Sequence, residues 1–345
     1  MIFWIGKLLA PFHALSFLRL AEYLSARSIG AALTAILLTL WVMPKVIWWL
    51  QRKAFVDQLR ETGIPSAFDK AGTPVMGGVV LVGVVSLSCL LWCNLGSGYA
   101  LLVLLGTVWF GAIGFVDDRA KMRAKSGDKG MSEAKKLVLQ GAFAALLVAV
   151  LASPYTPLPA AEAARLHVPF LKTAVLDSAW AYFPFVFLFV LLVGNSVNIT
   201  DGMDGLAIVP SVFAILVLGV FGYLLGNAIW ARYLFYPFLP GAGELAVFAS
   251  AFAGAGVGFL WFNAYPAQIF MGDTGSLSIG GSLAVASVLL KQELLFVILG
   301  GLFVAEAFSS QVQDKIGIKL LGRRLFARAP LHHAMAYNGL AETKV

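Results

Sequence analysis

A few short segments of this chain carry polar side chains that membrane insertion does not require, and their chemistry is the first thing to read. Phe115-Val116-Asp117-Asp118-Arg119-Ala120-Lys121 sets two adjacent carboxylates at the end of an apolar stretch. They repel each other unless a cation lies near them; the plain alternative is a solvated loop start neutralised by Arg119 and Lys121. Asn195-Ser196-Val197-Asn198-Ile199-Thr200-Asp201-Gly202-Met203-Asp204-Gly205 packs amides, carboxylates and glycines into one tight connection. That mixture offers oxygen ligands and backbone room for a bound group, more than a plain turn requires. Asp273, in Met271-Gly272-Asp273-Thr274-Gly275-Ser276, is the one charge between Glu244 and Lys291. It suits a hard cation and is also good N-cap chemistry for the helix that follows.

Lys70, Gly72, Thr73 and the pair Gly77-Gly78 resemble a phosphate cradle. Among the lysines between positions 121 and 136, Lys136 stands apart because it opens the next apolar stretch. Pro330-Leu331-His332-His333 adds two imidazoles. Adjacent histidines diverge on a regular backbone, which argues against a shared zinc ion and leaves contacts to phosphate or carbonyl groups, or general acid–base work. Hard oxygen ligands, Lys and His together suit Mg²⁺ and a diphosphate, and phosphoryl transfer asks a protein mainly to position groups and neutralise charge.

The elements that must position these residues are membrane helices. Hydrophobic residues make up 60% of the 345 and charged residues only 12%, far outside the soluble range. Long charge-free stretches predict nine transmembrane helices, near 28–50, 75–93, 99–116, 136–152, 180–197, 205–225, 244–262, 275–290 and 294–313. Residues 1–27 read as an N-terminal interfacial helix. The expected architecture is an all-α, polytopic integral membrane protein with one domain over 1–345. One set of loops holds 17 Lys and Arg against seven in the other, so the first faces the cytoplasm and the N-terminus lies outside. Twelve of the 18 carboxylates fall on that cytoplasmic side, a skew that topology does not demand. The net charge of +7 follows from the same bias and from anionic lipid, giving no case for nucleic acid. Cys89 and Cys93, four apart within the second span, read as packing residues.

In these motifs the chain closely resembles the phospho-N-acetylmuramoyl-pentapeptide transferases of the polyprenyl-phosphate N-acetylhexosamine-1-phosphate transferase superfamily. The likeness rests on Gly72-Thr73-Pro74 after Lys70, the Phe-Val-Asp-Asp pair, segments 195–205 and 259–276, and Ala329-Pro330-Leu331-His332-His333, in that order along the chain. It implies that UDP-N-acetylmuramoyl-pentapeptide and undecaprenyl phosphate react, with Mg²⁺, to give lipid I and UMP, the first membrane step of peptidoglycan synthesis. It implies a bacterial cytoplasmic (inner) membrane, with membrane lipid as surroundings and a homodimer left open. By position, it implies that Asp273, with Asp117 and Asp118, holds the metal, and that these three with His332 and His333 are catalytic. It likewise implies that Lys70, Thr73, Lys121, Lys136, Asn198, Asp201 and Asn263 bind substrate. Two mechanisms are compatible with it. Either Asp117 deprotonates the lipid phosphate for direct attack, the simpler course, or an Asp of the pair forms a phosphosugar-enzyme intermediate.

The chain departs from the family where three consecutive histidines, an aromatic residue and Glu are usual: here Ala334-Met335-Ala336 follows His333. Family members have ten spans, so a final span is expected to be missing. Three other readings compete with this one. A sister transferase of N-acetylglucosamine-1-phosphate shares the Asp motifs, but Pro330-Leu331-His332-His333 and Tyr265-Pro266-Ala267-Gln268 favour the muramoyl enzyme. A transporter needs charges near the bilayer midplane, and Glu306 is the one carboxylate expected inside a span. An inactive lipid-binding relative is the third.

Overall fold

The computed structural model describes residues 1–4, 20–53, 72–124, 130–171 and 176–345. Apolar helices dominate: α1 (Leu24–Arg52), α2 (Gly78–Trp92), α3 (Gly98–Arg123), α4 (Glu133–Leu151), α5 (Ala179–Thr200), α6 (Ile208–Leu225), the short α7 (Ala228–Tyr233), α8 (Glu244–Asn263) and α9 (Gly272–Leu289). They are followed by α10 (Glu293–Leu299), α11 (Gly301–Gln311), a π-helical run Val312–Leu320 and α12 (Leu331–Tyr337). The one sheet among the described residues is a two-residue antiparallel pair, Arg165–Leu166 with Leu176–Asp177, between α4 and α5. Among the described residues six helices are long and apolar enough to cross a bilayer, and a bent pair makes a seventh. The chain is an all-α, multi-pass membrane protein.

Each apolar segment expected from the sequence contains a helix, and three of them differ in instructive ways. The third runs past position 116 to Arg123, so Asp117, Asp118 and Lys121 sit on helical turns and not in a loop. The eighth, α9, is buried without a break from Thr274 to Leu289 and packs against α2, α3, α5 and α6. Protein surrounds it on every side, which explains how a helix rich in Gly and Ser is tolerated there: small residues let neighbouring backbones approach, and hydroxyls hydrogen-bond across helices. Ser282 Oγ lies 2.8 Å from Thr107 Oγ1, and Ser278 Oγ donates to the Thr107 carbonyl at 2.9 Å, tying α9 to α3. The ninth was expected as one straight span over 294–313. It breaks at Gly300-Gly301, bends by 87° and continues to Leu320. Paired glycines are a recognised cause of such kinks.

At the end of the bundle opposite Asp117, Arg27 forms a two-pronged ion pair with Glu244, at 2.7 and 2.8 Å, and both side chains are buried. Glu244 Oε2 also accepts the Asn94 amide at 2.9 Å, so the pair joins the starts of α1 and α8 to the segment just after α2. Arg27, expected in an interfacial segment, therefore belongs to α1. Removing one member strands the other as a buried charge, so Glu244→Ala is expected to cost about 3–5 kcal/mol. The double replacement Arg27→Met with Glu244→Met should recover most of that loss in thermal unfolding, because a matched apolar pair leaves no stranded charge.

Candidate active site at one end of the bundle

The up-and-down course of the helices brings the ends of α3, α5 and α8 and the starts of α4 and α9 to one end of the bundle. Asp117 and Lys121 are one helical turn apart on α3, and Lys121 Nζ lies 2.7 Å from Asp117 Oδ2. The same Nζ reaches Asp273 Oδ2 at 3.1 Å. Lys136, from the first turns of α4, sits 2.8 Å from Asp117 Oδ2 and 2.7 Å from Asp273 Oδ2. Two ammonium groups thus bridge two carboxylates contributed by different helices. Asp117 is fully buried, and its Oδ1 accepts the Met131 amide at 2.6 Å.

Asp118 does a different job. Its oxygens accept the amides of Asp273 and Thr274, at 3.0 and 2.9 Å, and the Thr274 hydroxyl at 2.6 Å. A carboxylate on α3 therefore satisfies the free amides at the start of α9 and faces the positive end of its dipole. Capping is one of the two readings of Asp273 in the sequence; Asp273 lies in the first turn of α9, and the cap comes from α3.

One carboxylate oxygen from each of Asp117, Asp118 and Asp273 lies within 4.8 Å of the other two. Hard oxygen donors at that spacing fit a divalent ion such as Mg²⁺. Burial alone would raise the Asp273 carboxyl, but contact with Asp117 and the ammonium groups of Lys121 and Lys136 hold it well below the usual carboxylate range. Asp201, at the end of α5, behaves oppositely. Burial, then the charges of Asp273, Asp118 and Asp204, push its carboxyl up to about 8.

The other expected site residues distribute around this cluster. Asn198 donates from Nδ2 to Ser276 Oγ at 3.0 Å, linking α5 to α9. Asn263 is buried and ties two backbone segments together, accepting the Gly205 amide at 3.1 Å and donating to the Ile269 carbonyl at 3.0 Å. Thr73 is half-buried beside Pro74, whose carbonyl accepts the Phe270 amide at 2.8 Å, so the 72–78 segment runs alongside the approach to α9. Lys70 lies outside the described residues. The rings of His332 and His333 have centroids 4.3 Å apart, closer than divergent neighbours would be, yet the cluster with metal-ligand spacing among the described residues is the three-Asp one.

His332 is buried against the connection after α5, and a Cβ at Gly202 would fall on its Nε2. The residue that holds it, Glu306 on α11, stands in the sequence as a lone carboxylate inside a span, with no partner to be read beside it. The signal was present: an ionisable group in an apolar segment is itself a reason to look for a partner.

Residues 100–291, more than half of the chain, match glycosyl transferase family 4. The matched region contains Asp117, Asp118, Lys121, Lys136, Asn198, Asp201, Asn263 and Asp273, and ends before Glu306 and His332. With a bundle of apolar helices that gathers these groups at one end, the chain belongs to glycosyl transferase family 4, whose members carry sugar phosphates onto polyprenyl phosphate.

Proposed function

We propose that this protein transfers phospho-N-acetylmuramoyl-pentapeptide from UDP to undecaprenyl phosphate, giving lipid I and UMP. The observation that carries the reading is the pair of lysines, Lys121 and Lys136, bracketing the Asp117 and Asp273 carboxylates at one end of the bundle. Such an arrangement has the charges that a diphosphate and a divalent ion require. The positive-inside bias of the loops supports an active site on the cytoplasmic side of a bacterial inner membrane, with the N-terminus outside.

Mg²⁺, held by Asp273 and Asp117 with Asp118 beside them, would supply charge neutralisation at the diphosphate. The protein's own groups do the rest. Asp117 accepts the proton of the lipid phosphate. A lipid phosphate oxygen then forms a bond to the β-phosphorus, and the bond from that phosphorus to the bridging oxygen breaks, its electron pair leaving with UMP. Lys121 and Lys136 turn from the carboxylates to the phosphate oxygens and stabilise the departing charge. Thr274 and Asp118 keep Asp273 in place throughout.

The nearest competing reading, transfer of N-acetylglucosamine-1-phosphate, is disfavoured by the resemblance of Pro330-Leu331-His332-His333 and Tyr265-Pro266-Ala267-Gln268 to the muramoyl transferases. Competition decides between them. Purified protein given both UDP-sugars, undecaprenyl phosphate and Mg²⁺ is expected to consume UDP-N-acetylmuramoyl-pentapeptide at least about tenfold faster, the scale that one or two lost polar contacts provide. Preference for UDP-N-acetylglucosamine would transfer the proposal to the sister reaction.

A further inference from the structure

Glu306 and His332 form a buried unit that the proposed reaction does not yet use. Glu306 is 2% exposed and His332 is 1% exposed. The Glu306 carboxylate accepts the His332 backbone amide, at 3.2 and 3.4 Å, and its Oε2 lies 3.1 Å from His332 Nδ1. An ionised carboxylate can only accept, so this contact puts a proton on Nδ1. Nε2 is then the nitrogen available to anything else. It is buried, has no hydrogen-bond partner among the described residues and rests against Gly202, one residue from Asp201. A buried polar atom without a partner costs desolvation free energy. Glycine at 202 is required for this contact, because any side chain there would displace the ring.

We propose that Glu306 is a positioning residue, which fixes the His332 ring with its proton on Nδ1 so that Nε2 accepts a hydrogen bond from an N–H or O–H group of the nucleotide-sugar bound at the 200–205 turn. The ligand half of this statement rests on the proposed function; the Glu306 half does not. The geometry follows the logic by which a carboxylate sets the tautomer of a catalytic or metal-binding imidazole. Here the carboxylate comes from the segment beyond the Gly300-Gly301 break, and the bend gives Glu306 its approach to the tail of the chain.

Nitrogen NMR of the full-length protein in lipid nanodiscs, with labelled histidine, tests both halves. The sequence has only four histidines, so a His332→Gln sample assigns the signal. Without substrate, His332 is expected to show a protonated Nδ1 and a bare Nε2; a ring protonated at Nε2, neutral or cationic, overturns the proposal. Adding UDP-N-acetylmuramoyl-pentapeptide should shift the Nε2 signal. An unchanged signal under conditions where that substrate is turned over overturns the ligand contact. If the substrate is not turned over at all, the proposed function fails, and the substrate-free spectrum still judges Glu306.

Kinetics supply the second measurement. Glu306→Met removes the acceptor and should release the tautomer, lowering kcat/KM for the nucleotide-sugar about 10- to 100-fold, as loss of such orienting partners does. KM for the lipid phosphate should stay unchanged. Glu306→Gln keeps an acceptor oxygen and should retain most of the activity. Equal losses in both variants, or losses that follow thermal stability alone, would reduce Glu306 to a packing residue and overturn the proposal.

Discussion

Asp273→Asn is expected to abolish transfer while leaving the fold intact. The amide is nearly the same size, and the backbone amide at 273 still donates to Asp118 Oδ1, so the start of α9 keeps its cap. What disappears is the negative charge shared by Lys121 and Lys136 and one of the three carboxylates grouped at metal-ligand spacing. Loss of one preorganised electrostatic group in an active site costs roughly 10²- to 10³-fold in kcat, and here metal and lysine positioning fail together, so a loss of about 10³-fold or more is expected. Product formation measured beside a thermal melt checks it: activity should vanish while the variant still folds, its melting temperature lowered only by the weakened ion pairs to Lys121 and Lys136. A stable variant with near-normal turnover would remove Asp273 from the mechanism.

Gly114→Ala should damage both stability and activity. Gly114 faces the start of α9, and a Cβ there would fall on the carbonyl of Asp273 and on the Thr274 amide nitrogen. Backbone at this point cannot step aside as a flexible side chain could, so α3 and α9 must separate. Overpacking of this kind costs about 1–3 kcal/mol. Separation also lengthens the hydrogen bonds that Asp118 accepts from Asp273 and Thr274, carrying Asp273 away from the lysines. Gly83→Ala on α2 is the matched control, since a Cβ there meets nothing within 4 Å. Thermal melts and turnover of the two variants should differ clearly, with Gly83→Ala close to the parent in both.

Much of this organisation can be read from the chain itself. Apolar runs identify the helices because an exposed backbone in lipid must be satisfied internally. The acidic motifs lie at alternate ends of successive runs, so an up-and-down bundle brings Asp117, Asp201 and Asp273 to one end. The division of labour between Asp117 and Asp118 is not legible, because neighbours on a helix point about 100° apart and only the crossing of α9 decides which meets which partner. The cap on α9 is invisible for a similar reason: it is supplied by a residue 155 positions away in sequence. The break at Gly300-Gly301 hides inside an unbroken apolar run, where composition registers length but not direction. Glu306 looks isolated in that run because its partner, His332, lies 26 residues further on, past the Val312–Leu320 helical run and a loop.

The most direct test of the central claim is the formation of lipid-linked phosphosugar by purified protein in nanodiscs, followed together with UMP release. The account predicts one UMP for each lipid product, with both absent when Mg²⁺ or undecaprenyl phosphate is omitted. UMP released at the same rate without the lipid phosphate, or lipid product formed in the presence of a chelator, would contradict it.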